Sequence, residues 1–346
     1  MLNNTSTDMD THPPTQAGIG IATPVCYSEI GAKANQEDAL FPLAGEATAR
    51  QRVFLVCDGM GGHEHGEVAS QCVAHTVGTL TAAQPPCDTA TMRTTFEQAL
   101  ATAYDRLDEI DTPPSEGRTM GTTLTFLALC TDGILIAHIG DSRVYQLRPG
   151  EDVVMRTRDH SLVSDLIAAG ELTEDEARTF PQRNVITRAI QPHQERRDRA
   201  TYNVVRDVRE GDVFLLCCDG VVEQLDDASL CALLLAPGSL TDRLAALRDE
   251  CLRRHTRDNN SAYLIGITAV DSPARPQAAM PTSPVTQPRG RHNWVYVAIA
   301  LLIALACFLL AQVFMGSKDG ARAGKTDPPA TETTADSAPL RTIQHR

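Results

Sequence analysis

The chain has no basic excess. Its 31 lysines and arginines stand against 44 acidic residues, a formal net charge of −13. That balance excludes a general nucleic-acid binder, because a phosphate backbone is held by basic patches. The short cluster Arg196-Arg197-Asp198-Arg199 reads as a solvated loop. None of the ten cysteines falls in CxxC spacing, so no zinc motif is visible. Cys57, Cys130, Cys217 and Cys218 sit inside apolar runs, where a free thiol behaves as a small, inert core residue. Such thiols point to a reducing compartment. The first residues lack both a basic n-region and an apolar h-region, so no secretory signal peptide is expected.

What is present is a globular composition, 42% hydrophobic and 22% charged over 346 residues, with room for one large domain or two ordinary ones. Residues 1–16 are polar and read as a loose tail. A folded domain is expected over 17–270. Residues 271–293 carry Pro273, Pro276, Pro281, Pro284 and Pro288 and read as a linker. The uncharged stretch Trp294 to Met315 would span ~33 Å as a helix, enough to cross a bilayer. Trp294 and Tyr296 would anchor one interface. Arg289, Arg291 and His292 precede this span and Lys318, Arg322 and Lys325 follow it, so flanking charge does not set its orientation. The reduced cysteines favour a domain on the cytoplasmic side of a cell inner membrane, single-pass, with 316–346 as a short polar tail outside.

Three apolar runs end at a carboxylate. Val53-Phe54-Leu55-Val56-Cys57 drops into Asp58-Gly59, Val213 to Cys218 into Asp219-Gly220, and Ile134 to Ile139 into Gly140-Asp141. Each run reads as a buried strand, and a carboxylate at its end loses water unless a cation or donor compensates it. Asp132-Gly133 and Pro149-Gly150 read instead as tight turns between strands, which gives an antiparallel meander. Helical faces are expected at Ala69, Cys72, Val73, Thr76, Val77 and Leu80, and again at Met92, Phe96, Leu100, Ala103 and Leu107. Leu240, Leu244, Leu247 and Cys251 mark another helix, and Thr173 with Glu176 makes a capping box. The fold class is therefore α+β, an antiparallel sheet covered by helices rather than a doubly wound parallel one.

The acidic positions beside strand ends or glycine are Glu37-Asp38, Asp58-Gly59, Gly140-Asp141, Asp219-Gly220 and Asp258-Asn259. Oxygen donors of this kind suit Mg2+ or Mn2+, and two such ions a few Å apart can activate a water against a phosphoryl group. Eight motifs resemble, in order, those of the metal-dependent type 2C (PPM) Ser/Thr protein phosphatases. They are Gly31-Ala32-Lys33-Ala34-Asn35-Gln36-Glu37-Asp38, Asp58-Gly59-Met60-Gly61-Gly62-His63, Met120-Gly121-Thr122-Thr123 and Gly140-Asp141-Ser142-Arg143, then Asp159-His160-Ser161-Leu162, Asn184 to Ala189, Cys218-Asp219-Gly220 and Asp258-Asn259.

The resemblance implies a four-layer α-β-β-α sandwich with two central antiparallel sheets. It implies two ions per domain, Mn2+ or Mg2+, bridged by Asp58, with the Gly59 carbonyl as a further ligand. Asp219 and Asp258 would hold one ion and Glu37 the other, directly or through water, with Asp38 beside them. Asp141 and Asp219 would frame a third, weaker site, and residues 161–182 match a flap that admits substrate. The implied reaction is hydrolysis of phosphoserine and phosphothreonine in proteins by direct attack of a metal-bridged hydroxide on phosphorus. Lys33 stands where the family usually has an arginine gripping phosphate, a point charge in place of a two-pronged donor. His63 is the candidate general acid, with His65 and a metal-bound water as competitors. Gln191, where glycine is common, touches no expected ligand. Phosphorylated Ser/Thr proteins are the expected partners, among them a membrane-bound kinase of the eukaryotic-like type, and the motifs suggest a bacterial origin. The competing reading is a catalytically weak or inactive domain tethered at the membrane as a binding module. Retention of Glu37, Asp58, Asp219 and Asp258 favours the enzyme.

Overall fold

A computed structural model describes residues 18–61, 65–111, 120–177 and 179–270. The N-terminal tail, the Pro-rich linker, the apolar span at 294–315 and the C-terminal tail lie outside these residues. Among the described residues no helix is long and apolar enough to cross a membrane.

The first sheet contains strands β1 (Ile19–Ile21), β2 (Val25–Glu29), β9 (Arg143–Arg148), β10 (Asp152–Arg156), β12 (Val213–Cys217) and β13 (Asn260–Val270). Its order is β1-β13-β12-β9-β10, and the long β13 also accepts β2 alongside its first half. The second sheet is built from β3 (Ala39–Phe41), β4 (Val53–Cys57), β7 (Leu124–Cys130), β8 (Gly133–Ile139) and β11 (Thr201–Val205), in the order β11-β8-β7-β4-β3. Every pairing in both is antiparallel. A small ribbon of β5 (Gly59–Met60) and β6 (Gly121–Thr122) stands beside them.

The two sheets pack face to face, with the rings of Phe54 on β4 and Tyr263 on β13 5.4 Å apart. Helices α1 (Gly66–Ala82) and α2 (Thr89–Ile110) cover the outer face of the second sheet. Helices α6 (Asp227–Leu234) and α7 (Leu240–Arg253) cover the first. Short helices α3 (Leu162–Ala169) and α4 (Glu174–Ala177) lie in the expected flap, and α5 (Asp219–Val222) follows β12. This layering explains why β4 reads as an unbroken apolar run. Successive side chains point to opposite faces. Phe54 and Val56 therefore enter the core between the sheets, while Val53, Leu55 and Cys57 enter the core under α1 and α2. A strand covered on both faces has no polar side to show.

The expected hairpins are present: Asp132 leads into Gly133 at φ 146° between β7 and β8, and Gly150 at φ 83° turns β9 into β10. The capping box also forms, with Glu176 N–H donating to Thr173 Oγ1 at 3.3 Å and Thr173 N–H to Glu176 Oε2 at 2.9 Å. One expected face is corrected in part, since Ala69, Val73, Thr76 and Val77 are buried as expected. Leu80 is exposed and Cys72 only half-buried, because α1 packs on small residues, Ala69, Ser70, Ala74 and Gly78. A Cβ on Gly78 would lie 2.3 Å from the Phe41 ring, so the helix is drawn onto the sheet where its side chains are smallest.

Candidate metal centre

Strand register brings the acidic residues to one end of the molecule. In the second sheet Cys57 pairs with Ala39, and Leu124 with Ile139, so Asp58, Asp38, Thr123 and Gly140 all leave the sheet at the same edge. In the first sheet Cys217 faces Arg143 on one side and Ala262 on the other, so Asp219, Asp141 and Asp258 emerge together. Gly140-Asp141-Ser142 is the crossing from the second sheet to the first.

The backbone around each carboxylate is pinned. Asp58 N–H donates to Thr123 Oγ1 at 3.0 Å, and the Asp58 carbonyl accepts from Thr123 N–H at 2.9 Å and Thr122 Oγ1 at 3.0 Å. Gly59 N–H donates to the Glu37 carbonyl at 3.1 Å. A Cβ on Gly59 would lie 2.4 Å from the Gly66 carbonyl oxygen and 2.5 Å from that of Glu37, so no side chain fits there. Asn259 fastens the opposite wall. Its Oδ1 accepts Glu37 N–H at 2.7 Å, and its Nδ2 donates to the carbonyls of Ile30 (2.8 Å) and Asn35 (3.0 Å). The loop carrying Lys33, Glu37 and Asp38 is thereby clipped to the start of β13. Asp258 Oδ1 accepts Asn259 N–H and lies 2.8 Å from Lys33 Nζ.

His160 supports the crossing. Its Nδ1 accepts Gly140 N–H at 3.1 Å, its Nε2 lies 2.8 Å from Thr201 Oγ1, and its ring stacks on His138 with centroids 4.5 Å apart. Burial, then His138, Arg188 and Arg158, push its pKa down to about 3. The ring is neutral at physiological pH, as an acceptor from Gly140 must be.

The carboxylates crowd one another. Both oxygens of Asp38 and one each of Asp141, Asp219 and Glu67 are buried with no hydrogen-bond partner. Burial lifts Asp38 to about 7, with Asp219 and Asp258 adding to the rise. Burial, then Asp219 and Asp159, lifts Asp141 to about 8. Burial and Asp258 lift Asp219 to about 6, and Asp58 is driven well up by burial, Asp219, Asp38 and Asp141. Glu37 rises through burial, against the pull of Lys33. Burial opposes the charge on Lys33, but its bond to Asp258 and the fields of Asp258, Glu37 and Asp58 outweigh this and raise its pKa.

Buried anions without donors are costly unless a cation neutralises them. The donor set consists mainly of carboxylate oxygens, the chemistry of a site for hard divalent ions, and these residues fit such ions. The structure brings together Lys33, Glu37, Asp38, Asp58, Asp141, Asp219 and Asp258 as the sequence suggested, whereas His63 lies outside the described residues. The sequence alone showed neither the clip role of Asn259 nor the orphaned Glu67 oxygen. Cys218 Sγ lies with oxygens of Asp38 and Asp58 in a set within 4.8 Å of one another.

A half-buried cluster of carboxylates at one edge of two face-to-face antiparallel sheets is the arrangement of a divalent-metal centre. Residues 26–255 match the protein phosphatase 2C family, and the chain belongs to that family. It is 33% identical over 239 residues to the serine/threonine protein phosphatase PstP of Mycobacterium tuberculosis, covering 69% of this chain and 43% of that protein. The chain thus spans less than half the length of this relative. It is 30% identical over 226 residues to the protein phosphatase PhpP of Streptococcus pneumoniae, covering 65% and 89%. A crystal structure of the catalytic domain of PstP in complex with two manganese ions superposes with a TM-score of 0.59 at 29% identity, covering 72% of this chain and 99% of that one.

Proposed function

We propose that this chain hydrolyses phosphoserine and phosphothreonine in proteins, with Mn2+ or Mg2+ held in the carboxylate chamber. The observation that carries this reading is the set of buried, unpartnered oxygens on Asp38, Asp141 and Asp219 beside Asp58, in a chain of the protein phosphatase 2C family. When bound, divalent cations lower the pKa of water and offset charge on phosphoryl oxygens.

The protein's part is to hold and orient. Asp58, with Asp38, Asp141 and Asp219 as its charged neighbours, would serve both ions, with the Gly59 carbonyl as a further ligand. Asp219 and Asp258 would hold one ion and Glu37 the other, with Asp38 behind them. Asp141 with Asp219 would frame a third. Lys33 sits at the rim, 42% exposed, where its ammonium can leave Asp258 for an incoming phosphate. The folded unit is taken as 17–270, followed by the linker 271–293. Residues 294–315 would cross the inner membrane once with the domain in the cytoplasm, which raises the effective concentration of membrane-bound substrates. A membrane-bound Ser/Thr kinase is the partner this placement suits.

Phosphate release from a phosphothreonine peptide tests the reading. Release by the full chain with Mn2+, abolished by chelator and by Asp219→Asn, is the expected result. A folded chain that binds Mn2+ and releases no phosphate would instead be a binding module.

A further inference from the structure

The chamber contains a donor that an oxygen-only site would not need. Cys218 is fully buried, and its Sγ accepts Ser261 N–H at 3.1 Å and donates to the Asn259 carbonyl at 3.4 Å. These bonds fix the sulfur in the wall of the chamber. Sγ and carboxylate oxygens of Asp38 and Asp58 lie within 4.8 Å of one another, so side-chain rotation has to draw them closer before all three reach one ion, at a zinc–sulfur bond of ~2.3 Å. Asp38 is 7% exposed, and neither of its oxygens has a partner. One sulfur and two carboxylates around a common point can bind a cation softer than Mg2+ or Mn2+.

We propose that this chamber binds one thiophilic divalent cation, of the Zn2+, Co2+ or Cd2+ kind, between Cys218 Sγ and the carboxylates of Asp38 and Asp58. On binding, the S–H bond breaks, its proton passes to water, and a sulfur lone pair joins the metal. An ion held there occupies Asp58 and Asp38, so it competes with Mn2+ for the same carboxylates. The phosphatase centre is then sensitive to soft metals through its own sequence, at the Cys-Cys-Asp-Gly step of residues 217–220. The proposal rests on the same metal-centre reading as the function above and adds the sulfur.

Co2+ titrated into the reduced full-length chain tests it, read by the thiolate-to-cobalt charge-transfer band, with Mn2+ binding measured in parallel. The expected result is a band in the wild type that disappears in both Cys218→Ser and Cys218→Ala. The ratio of Co2+ to Mn2+ affinity should fall at least about tenfold in those variants. Asp38→Asn, which keeps the thiol, should weaken the band. Mn2+ binding with no band in the wild type overturns this proposal alone. A band that survives in Cys218→Ser overturns it too, and makes another thiol such as Cys57 the donor. Loss of all metal binding would overturn both this proposal and the metal-centre reading.

Discussion

Lys33 Nζ lies 2.8 Å from Asp258 Oδ1, so the cation at the rim of the chamber is held by one of the carboxylates expected to bind metal. A divalent ion on Asp258 would weaken that pair and free the ammonium for phosphate. Lysine offers one point of charge where arginine would offer two parallel donors.

Lys33→Ala should therefore raise KM for a phosphopeptide by about tenfold, the scale of one charge-assisted hydrogen bond, with a smaller effect on kcat. Lys33→Arg should lower KM. Steady-state kinetics on both variants checks this, and an unchanged KM in Lys33→Arg would contradict the phosphate-binding role.

The metal-free domain should lose stability as pH rises from about 6.5 to 8.5. A carboxyl whose pKa is raised by folding holds a proton that the unfolded chain has already released at about 3.9. Its stabilisation is complete below that value and is lost as pH passes the folded pKa. For Asp219, Asp38 and Asp141 those values are about 6, 7 and 8. His160 has the opposite sign, since its lowered pKa costs stability only as pH falls below about 6.5. Above that pH the carboxylate slope remains. Thermal unfolding in chelator at the two pH values should show the fall, and saturating Mn2+ should reduce it. A metal-free melting temperature that rises over this window would contradict it.

Asn259→Ala should destabilise the domain by about 1–2 kcal/mol, because the buried Asn259 side chain is the partner of Glu37 N–H and of the carbonyls of Ile30 and Asn35, residues that water can still reach. Denaturant unfolding gives the stability. The same variant should bind Mn2+ more weakly, since the loop carrying Glu37 and Asp38 is no longer clipped.

Much of this was legible before any coordinates. Strands β4, β7, β8 and β12 stand out as apolar runs because each is covered on both faces, and Asp58 and Asp219 stand out because each ends such a run in Asp-Gly. The buried face of α2 was legible too, its contact residues being large and spaced by turns. The face of α1 was legible in part: Ala69, Val73, Thr76 and Val77 are buried as expected, but close approach to the sheet also selects Ser70, Ala74 and Gly78, small residues that leave no hydrophobic pattern. The role of Asn259 was hidden for a different reason. It depends on partners more than 200 residues away, Glu37, Ile30 and Asn35. Local spacing carries no trace of such meetings.

The full chain should fractionate with membranes and resist extraction by salt, and a chain ending at residue 290 should not. A single apolar helix of about 22 residues is sufficient for stable insertion. Recovery of both chains in the soluble fraction would remove the span.

The most direct test of the central claim, that these carboxylates hold the cations on which hydrolysis depends, is to count Mn2+ bound at equilibrium to the full chain and to Asp58→Asn. The expected result is two ions on the wild type and loss of both, together with phosphatase activity, in the variant. Two ions bound to Asp58→Asn at wild-type affinity would contradict it.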